Sequence, residues 1–178
     1  MSLRIIGLDP SLSSTGVSTH EGTFTVRFGS KRPPRIADAD DWLRTRIRVI
    51  QGEVAKACWA ADVVFIEGFS RGSIQKREEL GHLGYAIRET LANLSVPYVD
   101  IAPTVLKKFA TGKGNASKEQ VFSAAVKLLG LDPSAKDDEA DALWLRELGR
   151  YMYGESSRLP PTSHTDHLKK LEIPEMRK

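Results

Sequence analysis

Apolar positions along this chain change their period several times, and each change marks an element. LRIIGL (3–8) is a short apolar run with β-branched residues, which predicts a buried strand, and it stops at the turn signal Asp9-Pro10-Ser11. Glu21-Gly22 lies between two runs rich in Thr, Val and Phe, so a hairpin is predicted there and the chain opens as a three-stranded antiparallel meander. The adjacent prolines of SKRPPRIADADD predict a loop. Leu43, Ile47, Ile50, Val54 and Cys58 then recur at three and four, which predicts a helix from Asp41 to about Trp59 with Asp40 or Asp41 as its N-cap. ADVVFIEG is a near-continuous apolar run ending in a carboxylate, the pattern of a central parallel strand. A second helix is predicted over about 76–94, with Leu80, Leu83, Ile87, Leu91 and Leu94 on one face, and VPYVDIAP is a further strand. SKEQVFSAAVKLLG carries a capping box (Ser117 to Gln120) and a Gly130 stop, and DDEADALWLRELGRY opens with the acids that a helix dipole prefers.

The order β-β-β-α-β-α-β-α-α implies an α/β fold: a mixed five-stranded sheet flanked by helices on both faces. Residues 1–153 form one domain in this reading. From Gly154 the text turns to Ser, Pro and charge without periodicity, so 154–178 are expected to be a flexible C-terminal tail. Trp42, Trp59 and Trp144 fall on apolar helix faces and are expected in the core. Leu80, Leu83, Ile87 and Leu91 suit either core or a dimer seam, and Gly81 and Gly84, which allow close helix approach, tilt the choice to the seam.

A length of 178 residues agrees with a single domain, and 40% hydrophobic residues exclude a wholly disordered chain. One cysteine, Cys58, excludes an internal disulfide and a Cys-based zinc site. No apolar run approaches the roughly 18–20 residues that span a bilayer, and the N-terminus is too polar for a signal peptide. The expectation is a soluble cytoplasmic protein with no membrane partner. Its net charge of +3 conceals two basic stretches. Residues 27–48 carry seven basic groups against three acids, and 105–127 carry five lysines (Lys107, Lys108, Lys113, Lys118, Lys127) against Glu119. Such stripes suit a polyanion such as nucleic acid, or an ordinary solvated surface.

Four acids stand where the surrounding pattern would not choose them. Asp9 ends the first strand, Glu67 ends the VVFIE strand, and Asp138 and Asp141 are three apart on one helix face. Singly, Asp9-Pro10 reads as a turn and Asp138 as a first-turn acid, but no propensity explains Glu67. Crossover topology sets the second strand beside the first and so brings Asp9 near Glu67. Four converging carboxylates repel one another unless cations sit among them. Oxygen-only ligands select hard ions, Mg²⁺ with Mn²⁺ able to substitute, and two ions roughly 3.5–4 Å apart form the clamp for hydrolytic phosphoryl displacement. His164 and His167 have the only histidine spacing that suggests a ligand pair, and chance accounts for it.

Four blocks of this sequence resemble the RuvC-type Holliday-junction resolvases of the RNase H-like superfamily: LRIIGLDPSLSSTG, VVFIEGF, VLKKFATGKGNASKEQV and DDEADALWL, in family order over 3–148. The resemblance implies an RNase H-like fold, a two-metal endonuclease and a homodimer that cuts a four-way DNA junction. It assigns Asp9, Glu67, Asp138 and Asp141 to metal binding, and Lys107 and Lys118 to catalysis, the second facing the scissile phosphate. Lys108, adjacent to Lys107, could serve in its place. The family's junction-wedging aromatic stands three residues after the second acid, whereas Phe69 here stands two after Glu67. The following segment is unusually basic, so Arg71, Lys76 and Arg77 are assigned to the DNA arms. Lys108 and Lys113, the latter in the Gly-x-Gly loop, are assigned to phosphates. These departures fit a divergent, phage-type member. Two alternatives remain open: a nuclease for flaps, forks or RNA–DNA hybrids, and a non-catalytic junction-binding protein.

Overall fold

The structure, a computed structural model, describes residues 3–28, 36–68, 74–156 and 160–175, and the backbone alone of 36–38 and 74–77. Strands β1 (Ile5–Asp9), β2 (Thr15–Ser18), β3 (Thr23–Val26), β4 (Val63–Glu67) and β5 (Tyr98–Ile101) form one sheet in the order β3-β2-β1-β4-β5. The first three are antiparallel neighbours, as the hairpin around Gly22 requires, and Ser18 pairs with Thr23 across that turn. β4 runs parallel to β1, and β5 parallel to β4.

Side chains alternate across a strand with a period of two, and both central strands are buried on both faces. Ile5, Val63, Phe65, Val99 and Ile101 therefore share one core with the helices α3 (Pro103–Thr111), α4 (Lys118–Leu129) and α5 (Asp137–Met152). Ile6, Leu8, Val64 and Ile66 form the other core, under α1 (Ile36–Cys58) and α2 (Ile74–Asn93). Trp144 is fully buried, and its indole N–H donates to the Val121 carbonyl at 3.1 Å.

Several expectations change. α1 begins at Ile36 rather than Asp41, because buried Ala39 extends the apolar stripe back by a turn. α3 had no counterpart in the sequence reading. Its apolar positions Leu106, Phe109 and Ala110 are few, but Pro103 starts it and Gly112 ends it at φ 81°, a conformation that glycine accepts readily. Trp59 lies just beyond α1 and is 70% exposed, so it is not core. Trp42 is half-buried, edge-on to Phe28 and under the Arg46 guanidinium. Leu83, Ile87 and Leu91 are fully buried against the sheet and cannot form a dimer seam. The outward side of α2 instead shows Gly81, His82 and Tyr85.

The expected flexible tail is also revised over its described part. A helical turn, Thr162–Thr165, runs into a 3₁₀ turn, Asp166–Lys170, and Leu168 joins the core beside α3 with only 3% of its surface exposed. Gly154 turns the chain at φ 71°. Arg150 holds that turn through the Glu155 carbonyl, and Ser156 bonds Glu147. One buried leucine among polar residues carries no periodic signal, which is why the pattern reads as tail. Among the described residues, no helix is long and apolar enough to cross a membrane.

Candidate active site

In the parallel pairing of β1 with β4, Leu8 sits beside Ile66, so the next residues, Asp9 and Glu67, leave the sheet side by side at its C-terminal edge. Period two puts Asp9 on the same face as Ile5 and Gly7, and Glu67 on the same face as Val63 and Phe65. Both carboxylates therefore point to the face that α5 covers. α5 lies unusually close to that face. A Cβ on Gly7 would stand 2.0 Å from the Ala142 carbonyl oxygen, and one on Gly16 would stand 1.9 Å from that of Asp138. The two glycines let the helix backbone rest directly on β1 and β2. The Thr25 hydroxyl donates to Glu139 Oε1 at 2.9 Å and ties the first turn of α5 to β3. Asp138 and Asp141 are thereby brought to the acids of the sheet. These glycines were missed as site residues, although Gly7 within an apolar strand is a signal of close backbone approach.

The electrostatics follow from this crowding. Asp9 is 7% exposed, and its pKa is pushed well above the ordinary carboxylate range, first by burial and then by the negative charges of Glu67, Asp141 and Asp138. Glu67 is raised chiefly by burial, against the opposing pull of a hydrogen bond with Asp9 and of Lys118 and Lys107. Burial and Glu67 push Asp141 up to about 7, while Lys118 opposes the rise. Lys118 is the first residue of α4, held there by a complete capping box in which Ser117 Oγ accepts from the Gln120 N–H and Gln120 Oε1 from the Ser117 N–H. On α3 it is Lys107 that pulls on Glu67, whereas Lys108 lies near His167. Lys113 is exposed on the loop between α3 and α4.

Among the described residues, no three His, Cys, Asp or Glu side chains surround one point closely enough to hold an ion in this arrangement. The four acids are nevertheless electrostatic neighbours, and Asp9 and Glu67 lie close enough to share a proton. A cluster that must take up protons to coexist has the donor chemistry of a hard-cation site, and in that sense the residues fit divalent metal. Phe69 and Arg71 lie outside the described residues, as do the side chains of Lys76 and Arg77.

The Asp141 shift has a consequence for the metal-free protein. With its folded pKa near 7 and its ordinary value at 3.8, the folded state binds more protons than the unfolded state between those limits. Stability in EDTA then falls as pH rises from about 4 to 7, by at most about 1.4 kcal/mol per pH unit for one proton. Thermal melts across that range are expected to show the fall, and Asp141→Asn to flatten it. A melting temperature that rises through the window would contradict the crowding.

A family model for crossover junction endodeoxyribonuclease RuvC matches residues 5–146. A crossover junction endodeoxyribonuclease RuvC of Neorickettsia sennetsu is 33% identical over 152 residues, covering 82% of this chain and 91% of its own. That of Corynebacterium efficiens is 31% identical over 150 residues, covering 80% of this chain and 66% of its own. Among solved structures, Thermus thermophilus RuvC superposes with a TM-score of 0.65 at 20% identity, over 88% of this chain and all of that one. The same protein in complex with a Holliday junction substrate gives 0.64 at 21% identity, over 86% and 95%.

Proposed function

Because the chain belongs to the RuvC family of crossover junction endodeoxyribonucleases, we propose that it resolves Holliday junctions by metal-dependent hydrolysis at the Asp9, Glu67, Asp138 and Asp141 cluster. The observation that carries this reading is geometric: Asp9 and Glu67 end adjacent parallel strands, and the helix that carries Asp138 and Asp141 rests its backbone on Gly7 and Gly16 beside them. A protein that only bound phosphate would gain nothing from concentrated negative charge. Two Mg²⁺ ions, with Mn²⁺ as a substitute, are the cofactors that such a donor set selects. Bound there, they would supply an activated water and stabilise the leaving 3′ oxygen.

The side chains have separate tasks. Asp9, Glu67, Asp138 and Asp141 would hold the ions, and Asp9 is the acid on which the other three all act. The parallel pairing of β1 with β4 holds the Asp9 and Glu67 carboxylates side by side, where both would hold the ions in their charged forms. Lys118 acts on both Glu67 and Asp141, so its ammonium lies within reach of charge that builds on the scissile phosphate. Lys107 approaches from α3 on the Glu67 side. Lys113, Arg71, Lys76 and Arg77 hold DNA phosphates, with Lys108 as an outlying contact, and Phe69 is a DNA-binding residue. Paired nicks call for two sites related by a two-fold axis, which a homodimer joined through the outward side of α2, where Tyr85 is 71% exposed, would supply.

One cleavage gel tests the whole: labelled four-way junction, fork, flap, duplex and RNA–DNA hybrid, each with Mg²⁺, Mn²⁺ or EDTA. Metal-dependent paired nicks in the four-way junction are expected. Preference for flap or hybrid, together with a mass of only 19.7 kDa by light scattering, would turn the reading to another nuclease. Lys118→Ala is expected to lower the single-turnover rate roughly a hundredfold, as loss of a group facing developing charge does. Its junction affinity should stay near that of the parent. A lysine with no role would be harmless to remove, because an exposed cation in a helix's first turn is slightly unfavourable.

A further inference from the structure

We propose that the C-terminal strap, residues 160–173, is a positioning element for Lys107, with His167 as the side chain that sets its hold on α3. The inference rests on the assignment of Lys107 to the reaction. The family match ends at residue 146, so the strap lies beyond the matched residues.

Three contacts place the strap on α3. A carbonyl can only accept, so His167 donates from Nε2–H to the Val105 oxygen at 3.2 Å, and His164 donates from Nδ1–H to that of Phe109 at 3.2 Å. The Phe109 carbonyl belongs to the last four of α3, which a helix leaves without intrahelical donors. Leu168, next to His167 in the chain, is buried in the core that also takes Leu106, Phe109 and Ala110 of α3.

His164 has a second use. A Cβ on Gly112 would lie 2.6 Å from its Nε2, so the ring occupies the space that any larger residue at 112 would need. The strap thus touches both the end of α3 and the loop that leads to Lys118. Leu106, Phe109 and Ala110, which lie on one face, seat α3 on the core, where Phe109 meets Trp144 and Tyr151. The strap closes the helix from another side, at carbonyls that flank Lys107 in sequence. Lys107 is near enough to act on Glu67 and Lys108 near enough to act on His167, so neighbouring residues of α3 reach the acids and the strap. A shift of α3 by a fraction of an ångström, small enough for Leu106, Phe109 and Ala110 to stay buried, would move Lys107 relative to the carboxylates.

The test uses the full chain with a four-way junction. Single-turnover rate at saturating protein and junction affinity are measured for His167→Leu, His167→Gln, Lys107→Ala and the Lys107→Ala/His167→Leu pair. His167→Leu is expected to slow cleavage by about tenfold at unchanged affinity, since a misplacement of about 1 Å can cost roughly a hundredfold and a smaller one less. His167→Gln, whose amide nitrogen reaches the same carbonyl, restores the rate. The double variant is no slower than Lys107→Ala alone, because the strap acts through that lysine. A normal rate in His167→Leu, or the same slowing in the Lys107→Ala background as in the parent, overturns the proposal. A normal rate in Lys107→Ala overturns instead the role of Lys107 itself. Should His167→Leu melt far below the parent, failure of His167→Gln to recover the rate while recovering the melt also counts against positioning.

Discussion

Asp9→Asn protein is expected to lose cleavage of the four-way junction by at least about a thousandfold while binding the junction as tightly as the parent, or slightly tighter. The acid is buried beside three others, and its carboxyl group is the one that all of them act on. Asparagine keeps the shape and one oxygen but not the charge that draws cations in, and the metal's share of transition-state stabilisation is several kcal/mol. Each 1.36 kcal/mol is tenfold in rate, so the loss reaches about three decades. Binding is spared because one negative charge fewer faces the phosphates. A second readout separates this from damage to the fold. Mg²⁺ should raise the melting temperature of the parent by relieving repulsion, and this increment should shrink in Asp9→Asn. Retained cleavage in this variant would remove Asp9 from the site.

The second large effect lies at a residue with no functional group. Gly16→Ala is expected to cost stability at or above the upper end of the roughly 1–3 kcal/mol typical of overpacking, with cleavage falling further than stability does. The new methyl would stand 1.9 Å from the Asp138 carbonyl oxygen and 3.2 Å from the Ala142 Cβ. Both belong to α5 near its backbone, so no flexible side chain can yield, and the helix must move as a body. That motion takes Asp138 and Asp141 away from Asp9. Gly52→Ala is the control: on α1 a Cβ there meets nothing within 4 Å, and it should stabilise the helix by about 0.5–1 kcal/mol. Urea melts give the first quantity and single-turnover cleavage the second. A Gly16→Ala protein with normal stability and rate would mean that α5 is not held against β2 as described.

Element identity was largely legible from periodicity. The meander, the helix capped by Ser117 and Gln120 and the closing acidic helix all rest on local patterns that tertiary packing then used rather than overrode. α3 was not legible, because nine residues with three buried apolar positions look like loop until Pro103 and Gly112 are read as its two ends. Trp59 failed in the opposite direction: a tryptophan in phase with an apolar stripe was counted as core, but the helix ends one residue before it. The leucines of α2 were ambiguous in sequence because a helix face that meets a sheet and one that meets a second helix carry the same spacing.

What the sequence determined by itself was the set of elements, the two acids that end adjacent parallel strands and the two that share a helix face. Those follow from short-range rules: period two for strands, period 3.6 for helices, and charge placed where propensity would not put it. Only the tertiary structure decided which of these groups meet. The approach of α5 depends on Gly7 and Gly16, whose meaning is an absence of side chain opposite a backbone far away in sequence. The choice between Lys107 and Lys108 depends on how α3 is rotated, which adjacent residues of like chemistry cannot reveal. The strap depends on one buried leucine and two histidines that find carbonyls 55 and 62 residues away. Local patterns record what a segment does with its own neighbours, whereas a close backbone contact or a side-chain cap across the fold leaves almost no periodic trace, because it is made once.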